Sequence, residues 1–325
     1  MKSNRSIPIF FSCDDNYLPF LAVAVRSLIE NASPDESYSI HILNNGLTRE
    51  RVAPILAMRR ENVEIRTVDV GHMIAPIAER LNLRDYYTVS IYFRLFIASM
   101  FPQYHKAIYL DADIAVNGDI SKLYKIALGD RVFGVVSDDI IASHRDFRRY
   151  AEEGVGVRYR RYFNSGVLLM NLDRFRALDI ERKFVYLLET YHFDTVCPDQ
   201  DYLNVLCRDR VLYLDKGWNK MSIDEDYRGV PAIVHYNMFY KPWLYRDIPY
   251  AEYFWKYAAM TPFYAELREM QKHFGIKGRL GHAKANRKLH RSALAICGQD
   301  ENFRRVMLGR PIDRMPWRGV VENDA

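Results

Sequence analysis

The chain has few cysteines and no long hydrophobic run. Four cysteines are scattered over 325 residues, and no two are spaced as a metal-binding pair. This indicates reduced thiols in a cytosolic protein rather than a disulfide framework. No apolar stretch approaches the roughly 20 residues of a membrane-spanning helix. The basic start before Ile7–Phe11 imitates a signal peptide, but its apolar part is short and ends at Asp14, so we interpret it as a first strand.

Glycine-rich phosphate loops and repeats are also missing. No Gly-x-Gly-x-x-Gly opens the first predicted helix, and no Gly-x₄-Gly-Lys-Ser/Thr occurs. Their absence argues against a dinucleotide dehydrogenase and a P-loop enzyme. What the chain has instead is 49% hydrophobic and 27% charged residues, as in a globular protein. Its 23 Tyr and 17 Phe offer aromatic faces for sugars and bases.

The net charge of +5 is concentrated in one late segment. Six basic residues and no acidic ones lie between Lys277 and Arg291, so the remainder of the chain is slightly acidic. Basic residues confined to one tail without interleaved aromatics do not support nucleic-acid binding. We interpret the segment as a contact with an anionic membrane. The alternative is a solvated helical extension that packs on the body.

Strand and helix patterns alternate through the first hundred residues. This alternation predicts an open, mostly parallel sheet covered on both faces, with ligands beyond the carboxyl ends of its strands. A buried helix is predicted at Val89–Met100, another helix at Asp173–Tyr191, and mostly helical structure after Pro249. The predicted strands of the first part are Ile7–Cys13, Tyr38–Leu43, Val63–Val68 and Ala107–Leu110.

Two carboxylates follow the last of these strands. Alternate residues of an extended chain project to the same side, so Asp111 and Asp113 are predicted to face one small site. Hard oxygen ligands of this kind suit Mg²⁺ or Mn²⁺ bridging to phosphate. The alternative is an ordinary strand-end turn, in which Asp is also favoured.

A polar turn follows the first strand. Asp14 and Asn16 carry groups that pair with a pyrimidine edge, and the ring of Tyr17 offers a stacking face. The alternative for Asp14 is a side chain that only caps the following helix.

Three later segments carry further polar groups. His235 follows a short predicted strand and is a candidate third metal ligand, which would favour Mn²⁺ over Mg²⁺. Lys241 is a point charge suited to a diphosphate; the alternatives are a structural histidine and a solvated surface amine. Asn164 begins a small polar turn before a strand, and Gln200 stands between two acids at a predicted helix start.

Together these segments resemble the retaining glycosyltransferases of family 8, which include bacterial lipopolysaccharide galactosyl- and glucosyltransferases and glycogenin. The resemblance spans roughly residues 7–260. The matching segments, in the family's order, are Ser12–Tyr17, Ser90–Leu95, Tyr109–Asp113, Tyr162–Asn171, Asp199–Asp201 and His235–Trp243.

The resemblance implies an α/β protein with a GT-A fold, a Rossmann-like mixed sheet flanked by helices. It implies a catalytic domain over residues 1–248 and a helical, basic C-terminal region over residues 249–325. It also implies that Mn²⁺, or Mg²⁺ in its place, is held by Asp111, Asp113 and His235. Donor-binding residues would be Asp14, Asn16, Tyr17, Arg94, Asp111, Ala112 and Lys241, and residues around the donor sugar would be Asp138, Asn164, Asp199 and Gln200.

The implied reaction moves glucose or galactose from a UDP-sugar to a saccharide or glycolipid acceptor of the cell surface, with retention. The resemblance places an amide, Gln200, where a nucleophile is expected, so we expect front-face attack with Gln200 stabilising the cationic sugar. One departure is Met238, where family members often have Gly close to phosphate. We expect a cytoplasmic protein, peripheral on the inner face of the plasma membrane.

Two alternatives belong to other classes. A non-catalytic sugar-nucleotide-binding or scaffolding protein on the same fold would be expected to lose part of the Asp111, Asp113 and His235 set, which is complete here. A nucleotidyltransferase would be expected to have a basic, glycine-rich loop after the first strand, where this chain has Asp14-Asp15-Asn16.

Overall fold

Two β-sheets organise the protein, whose computed structural model describes residues 6–81 and 88–308. The basic start (residues 1–5) and the end of the predicted C-terminal region (309–325) lie outside the described residues. The strands are β1 (Ile7–Ser12), β2 (Tyr38–Asn44), β3 (Val63–Asp69), β4 (Lys106–Leu110), β5 (Ile114–Val116), β6 (Phe133–Ser137), β7 (Phe163–Asn171), β8 (Val211–Tyr213), β9 (Lys220–Met221) and β10 (Ile233–His235).

Helices cover the sheets and form the C-terminal part. They are α1 (Leu18–Asn31), α2 (Arg49–Leu56), α3 (Gly71–Ile74), α4 (Ile97–Met100), α5 (Ile120–Tyr124), α6 (Asp139–Ser143), α7 (Arg145–Arg149), α8 (Leu172–Ala177), α9 (Ile180–Thr190), α10 (Pro198–Cys207), α11 (Ala251–Ala258), α12 (Tyr264–His273), α13 (Ile276–Gly298) and α14 (Phe303–Met307). Short 3₁₀ turns occupy Asp15–Tyr17, Ala75–Arg80, Val89–Leu95, Tyr159–Arg161 and Lys216–Trp218, and a π-helical turn occupies Tyr150–Val155.

The larger sheet has the order β3-β2-β1-β4-β7-β6-β8. Six of these strands run in one direction, and β7 runs antiparallel between β4 and β6. The carboxyl ends of β1, β4, β6 and β8 therefore meet the amino end of β7 at one edge of the sheet. The prediction of a mostly parallel sheet is confirmed, and the reversed β7 makes it mixed.

Both faces of this sheet are covered, as predicted. On β1, Phe10 contributes to one apolar cluster, whereas Ile9 and Phe11 contribute to the other. On β7, Leu168 and Val167 divide in the same way. Alternate side chains of a strand point to opposite faces, so two buried faces require strands that are apolar throughout.

A smaller sheet, β5-β10-β9, continues the chain after β4. In this sheet β10 pairs antiparallel with β5, and His235 lies opposite Ile114. This register places the imidazole beside the residue that precedes Ile114 in the chain, which is Asp113. The backbone N–H of Tyr236 donates to the carbonyl oxygen of Asp113 over 2.9 Å and holds the end of β10 beside Asp113.

Three sequence-based boundaries are wrong. Val89–Met100 is a 3₁₀ turn followed by the short helix α4, rather than one helix. Asp173–Tyr191 divides into α8 and α9, because Asp179 takes a left-handed conformation with φ of 51°. The polar residues from Asn164 are inside β7 rather than in a turn before it, because they pair with β6 at Val136.

The C-terminal helices pack on the body. Helix α11 lies against α1, and α13 lies against α7 and the π-helical turn. His290 of α13 stacks on Phe147 of α7 with ring centroids 4.3 Å apart and pairs through Nδ1 with Asp146 over 3.1 Å. Among the residues that the structure describes, no helix has both the length and the apolar character that crossing a bilayer requires.

Candidate active site

A cavity opens at the sheet edge where β1, β4 and β6 end. The end of the first strand contributes Ser12, the loop between β4 and β5 contributes Asp111, and α6 begins beside Asp138. The cavity also receives Gln200 from the first turn of α10 and His235 from β10. It therefore lies where open α/β sheets bind their ligands.

The three predicted metal ligands come together in this cavity. His235 Nε2 lies 3.2 Å from Asp113 Oδ1 and 3.7 Å from Asp111 Oδ2. One ligand atom from each residue lies within 4.8 Å of those of the other two. Asp113 and His235 are buried, whereas Asp111 is partly exposed. Neighbouring ligands of a small divalent ion about 2.1 Å away are about 3 Å apart, so these spacings fit Mn²⁺ or Mg²⁺.

Asn219, which no sequence pattern singles out, orients the imidazole of His235. Asn219, which has no solvent exposure, accepts a hydrogen bond from His235 Nδ1 over 3.0 Å. With its proton on Nδ1, the imidazole has a free lone pair on Nε2, the atom that faces the two carboxylates. The amide of Asn219 also donates to Asn164 Oδ1 over 2.9 Å. The donor set therefore fits a metal ion in atom types and in tautomer.

The absence of a side chain at Gly166 leaves room for these ligands. A Cβ atom at this position would lie 2.3 Å from His235 Cε1 and 2.5 Å from Asp111 Oδ2. The backbone is held on both sides, because the carbonyl oxygen of Gly166 accepts from Asp111 N over 2.8 Å and its N–H donates to Asn164 Oδ1 over 2.9 Å. Only glycine therefore fits beneath the predicted metal site.

Arg94 joins the metal side of the cavity to the side where α10 begins. It is buried and donates to Asp111 Oδ1 over 2.8 Å, while its Nε lies 3.2 Å from Asp199 Oδ2. Burial alone would lower the pKa of Arg94, but the two carboxylates outweigh it and raise the pKa. Burial raises the pKa of Asp199, and the guanidinium opposes that rise. Arg94 also donates to the carbonyl oxygen of Ser165 over 2.6 Å.

Gln200 is held by a closed set of hydrogen bonds. Its Oε1 accepts from Asn164 Nδ2 over 3.0 Å and from the backbone N–H of Ser165 over 2.9 Å. Its Nε2 donates to Asp138 Oδ2 over 3.0 Å. The other oxygen of Asp138 caps α6 by accepting from the N–H groups of Ile140 and Ile141. The four residues predicted around the sugar, including Asp199, are thus in one buried network on the cavity wall.

Lys241 is buried and pairs with Asp113 Oδ2. Burial would raise the pKa of Asp113, but the charge of Lys241, followed by that of His235, lowers it well below its usual range. In the chain between His235 and Lys241, Met238 has a left-handed backbone conformation, with φ of 59°. The loop therefore keeps a conformation that favours glycine, although this chain has Met there.

The predicted nucleotide residues divide into two groups. Tyr17 and Ala112 line the cavity. Asp14 and Asn16 are not among the lining residues; Asp14 Oδ1 accepts from the backbone N–H groups of Asn16 and Tyr17 over 2.9 and 3.1 Å. Asp14 thus forms the predicted alternative, an Asx turn. A direct contact of Asp14 or Asn16 with a nucleotide stays a prediction.

Comparisons with known proteins agree with this geometry. The profile of glycosyl transferase family 8 matches residues 8–247. The chain is 23% identical to the lipopolysaccharide 1,2-glucosyltransferase of Escherichia coli strain K12 over 261 residues, 75% of this chain and 74% of that protein. It is 27% identical to the glycosyltransferase GlyB of Streptococcus pneumoniae over 271 residues, 77% of this chain and 61% of that protein.

Solved structures show the same architecture. The galactosyltransferase LgtC, crystallised with donor and acceptor sugar analogs, aligns with a TM-score of 0.66 and 29% identity over 79% of this chain and 96% of that one. The bifunctional glycosyltransferase WbbM aligns with a TM-score of 0.71 and 21% identity over 83% of this chain and 52% of that one, a likeness of fold. The architecture is the predicted GT-A fold.

Proposed function

The chain belongs to glycosyl transferase family 8, and on this premise we propose that it is a retaining, Mn²⁺-dependent hexosyltransferase. Its donor is UDP-glucose or UDP-galactose, and its acceptor is a saccharide or glycolipid of the cell surface. The relatives named as a lipopolysaccharide glucosyltransferase and as a galactosyltransferase support a hexose donor and an acceptor of the lipopolysaccharide type.

One observation carries the proposal. Asp111, Asp113 and His235 meet in the same cavity as the Gln200 network, and the acceptor oxygen of Asn219 beside His235 Nδ1 leaves Nε2 available as a metal ligand. A non-catalytic binding protein needs neither a complete set of ligands nor an orienting Asn219. The predicted metal site and the predicted sugar site share one hydrogen-bonded wall, so both parts of a sugar nucleotide, the diphosphate and the sugar, can be held in this cavity.

The three ligands would hold Mn²⁺, which when bound supplies positive charge to stabilise a leaving diphosphate. Lys241 supplies a second positive charge at the same place. It now neutralises Asp113 and, with a donor present, would face the diphosphate as well. Tyr17 stacks on the uracil; its ring is steadied edge-to-face by Phe20, with centroids 5.2 Å apart.

The residues around the sugar favour front-face attack. Asp138 accepts hydrogen bonds on both oxygens, and Asp199 accepts from Ser165 and Arg94, so neither carboxylate is an unengaged nucleophile. The amide of Gln200 is fixed by its three hydrogen-bonding partners and presents an oriented dipole rather than a nucleophile. The acceptor hydroxyl attacks from the side of the leaving diphosphate, and its proton passes to the departing phosphate oxygen. The product retains the anomeric configuration.

A donor panel tests the activity. The protein with Mn²⁺ is given UDP-glucose, UDP-galactose and other UDP-sugars, with water as acceptor, and released UDP is measured. We expect release from at least one UDP-hexose, and removal of Mn²⁺ with a chelator abolishes it. NMR of a transfer product is expected to show the donor's anomeric configuration. No release from any donor, or an inverted linkage, contradicts the proposal.

Asp113→Asn separates the metal from the fold. The substitution keeps the shape of the side chain and removes its charge, so we expect UDP release to fall by orders of magnitude. Asp224→Asn is the matched control, because Asp224 is an exposed acid on the loop after β9 that pairs with Lys220. Unfolding midpoints of both variants are measured to check that each one folds. Near-normal turnover by Asp113→Asn contradicts the metal assignment.

We also propose that the C-terminal region, whose described part is the helices α11 to α14, carries a basic surface that lies on anionic lipid. In α13 Leu289 and Ala293 are buried against the body, whereas Lys284, Arg287 and Arg291 are exposed. Ile276 and Leu280 at the start of α13 are 77% and 63% exposed. Each basic residue near an anionic surface contributes about 1 kcal/mol, which salt weakens.

Vesicle flotation tests this surface. We expect the full chain to float with vesicles that contain phosphatidylglycerol and not with neutral phosphatidylcholine vesicles. The variant Lys284→Gln/Arg287→Gln/Arg291→Gln should lose this binding and keep UDP release. Arg59→Gln, an exposed arginine after α2, is the charge control. Equal flotation of the triple variant and the wild type contradicts the membrane contact.

A further inference from the structure

A cluster of exposed arginines and tyrosines flanks the predicted sugar end of the cavity. We name it the Arg–Tyr patch; it comprises Arg148, Arg158, Tyr159, Arg160, Arg161 and Tyr213. The tyrosines are half-buried and the arginines exposed. The predicted donor and metal residues do not include any of these side chains.

The position of the patch follows from the sheet order. Tyr213 ends β8, the edge strand that pairs with β6, and β6 leads into Asp138. Ser137 Oγ donates to the carbonyl oxygen of Arg160 over 3.1 Å, and Asp138 N donates to that of Tyr162 over 2.9 Å. Along this edge, the predicted metal site lies at β4, the sugar network at β7 and β6, and the patch beyond them.

The guanidinium groups are held by aromatic rings. Arg148 lies over the ring of Tyr159, 5.3 Å from its centroid, and Arg161 lies 4.7 Å from the centroid of Tyr213. Arg160 lies 5.6 Å from the centroid of Tyr159, and its Nε donates to the hydroxyl oxygen of that tyrosine over 2.9 Å, which leaves its terminal N–H groups for a ligand. Arg148 is further fixed by its Nε, which donates to the carbonyl oxygen of Ala142 over 2.6 Å. Stacking uses the flat face of a guanidinium and leaves N–H groups at its edge for a planar or tetrahedral anion.

Among the residues that the structure describes, no carboxylate lies within ion-pair distance of Arg148, Arg158, Arg160 or Arg161. The nearby Arg149, by contrast, pairs with Glu153 over 2.8 Å. Clustered like charges repel one another, so an anion on this surface gains attraction and relieves the repulsion.

We propose that the Arg–Tyr patch binds an anionic group, phosphate or carboxylate, on the sugar acceptor. This rests on the proposed function. The donor's own diphosphate belongs at the other end of the cavity, where the metal ligands and Lys241 lie, so the patch is left for the second substrate. The acceptor class is therefore an acidic saccharide, one with a phosphorylated or uronic-type residue.

The test compares acidic and neutral sugars with the donor site filled. Calorimetry on the full chain, saturated with Mn²⁺ and UDP, measures binding of glucose 6-phosphate against glucose and of galacturonate against galactose. Two charge-assisted hydrogen bonds predict at least about tenfold tighter binding of the acidic sugar. The variant Arg160→Gln/Arg161→Gln should abolish this preference, and Arg160→Lys/Arg161→Lys should lose part of it, because lysine lacks the forked geometry.

Arg59→Gln is the matched control and should keep the full preference. UDP release with water as acceptor should be the same in every variant, because the substituted arginines are not among the residues that line the cavity of the predicted donor site. Unfolding midpoints are measured for every variant, and we expect them to be unchanged because the substituted positions are exposed.

Three results overturn the proposal. The first is an equal affinity of the wild-type protein for acidic and neutral sugars. The second is a preference that survives in Arg160→Gln/Arg161→Gln. The third is that inorganic phosphate, or vesicles containing phosphatidylglycerol, bind through the patch while the acidic sugars do not. Failure of the proposed function is distinguished by wild-type UDP release, because the binding experiment does not require turnover.

Discussion

Gly166→Ala is expected to displace the metal ligands while leaving the sheet intact. The added Cβ would lie 2.3 Å from His235 Cε1 and 2.5 Å from Asp111 Oδ2, whereas ordinary van der Waals contacts begin at 3.4 Å. The backbone of Gly166 cannot retreat, because both its N–H and its carbonyl oxygen are hydrogen-bonded within the site. The imidazole and the carboxylate must therefore each move away from the new Cβ atom by about 1 Å.

Such a shift is expected to affect the free energy of unfolding and the Mn²⁺ affinity by different amounts. Overpacking of this kind costs about 1–3 kcal/mol of unfolding free energy, so the variant is expected to fold. Mn²⁺ affinity should fall by at least the 10- to 100-fold that follows loss of a supporting residue, because here two ligands themselves are displaced. Electron paramagnetic resonance of free Mn²⁺ measures the affinity, and urea unfolding measures the stability.

Gly134→Ala is the matched control. Gly134 is also on a central strand, and a Cβ there would meet only apolar side-chain atoms of Leu214, Leu128 and Leu169 at 3.2–3.3 Å. We expect a similar or smaller loss of stability and unchanged Mn²⁺ affinity and UDP release. If Gly166→Ala binds Mn²⁺ as tightly as the wild type, the inference that Asp111 and His235 hold the metal together is refuted.

Three further substitutions test separate parts of the structure. Asn219→Leu should weaken Mn²⁺ binding about 10- to 100-fold by electron paramagnetic resonance, because the imidazole of His235 loses its orienting partner; unchanged affinity would contradict this role. Met238→Gly should be more stable than Met238→Ala by about 1 kcal/mol in urea unfolding, because the left-handed backbone suits glycine; the reverse order would contradict that conformation. Burial lowers the pKa of His41 from 6.5 to about 4, so the unfolded state binds the extra proton between these values and stability should fall by up to about 3 kcal/mol as pH drops from 7 to 4. His41→Phe should flatten this part of the pH profile, and an unchanged profile would show that other groups cause it.

The sequence patterns were most informative where one period dominates. The apolar patterns predict the strands β1 to β4 within one residue at each end, because continuous apolar runs are local properties of the chain. Boundaries failed where backbone geometry depended on tertiary contacts. Asp179 breaks one predicted helix in a left-handed conformation. Asn164 belongs to β7, because its pairing with β6 outweighs its own preference for turns.

The candidate site divides in the same way. The carboxylates, the imidazole and Gln200 were recognised from their residue types and from the family's order of motifs. Asn219 was missed, since a single Asn before a short strand has no signal in one sequence. The Arg–Tyr patch was also missed, because Tyr213 lies far along the chain from the arginines and joins them only through the pairing of β6 with β8.

Residue types and local patterns are enough to reveal which chemical groups the chain possesses and the alternation of strands and helices that brings loops to one edge of a sheet. Which atoms of those groups face one another depends on the packed fold. Hydrogen bonds such as that between His235 and Asn219, and the space left by Gly166, join residues distant in the chain. The physical reason is that periodicity is a property of neighbours along the chain, whereas a ligand site depends on distances between strands paired across a sheet.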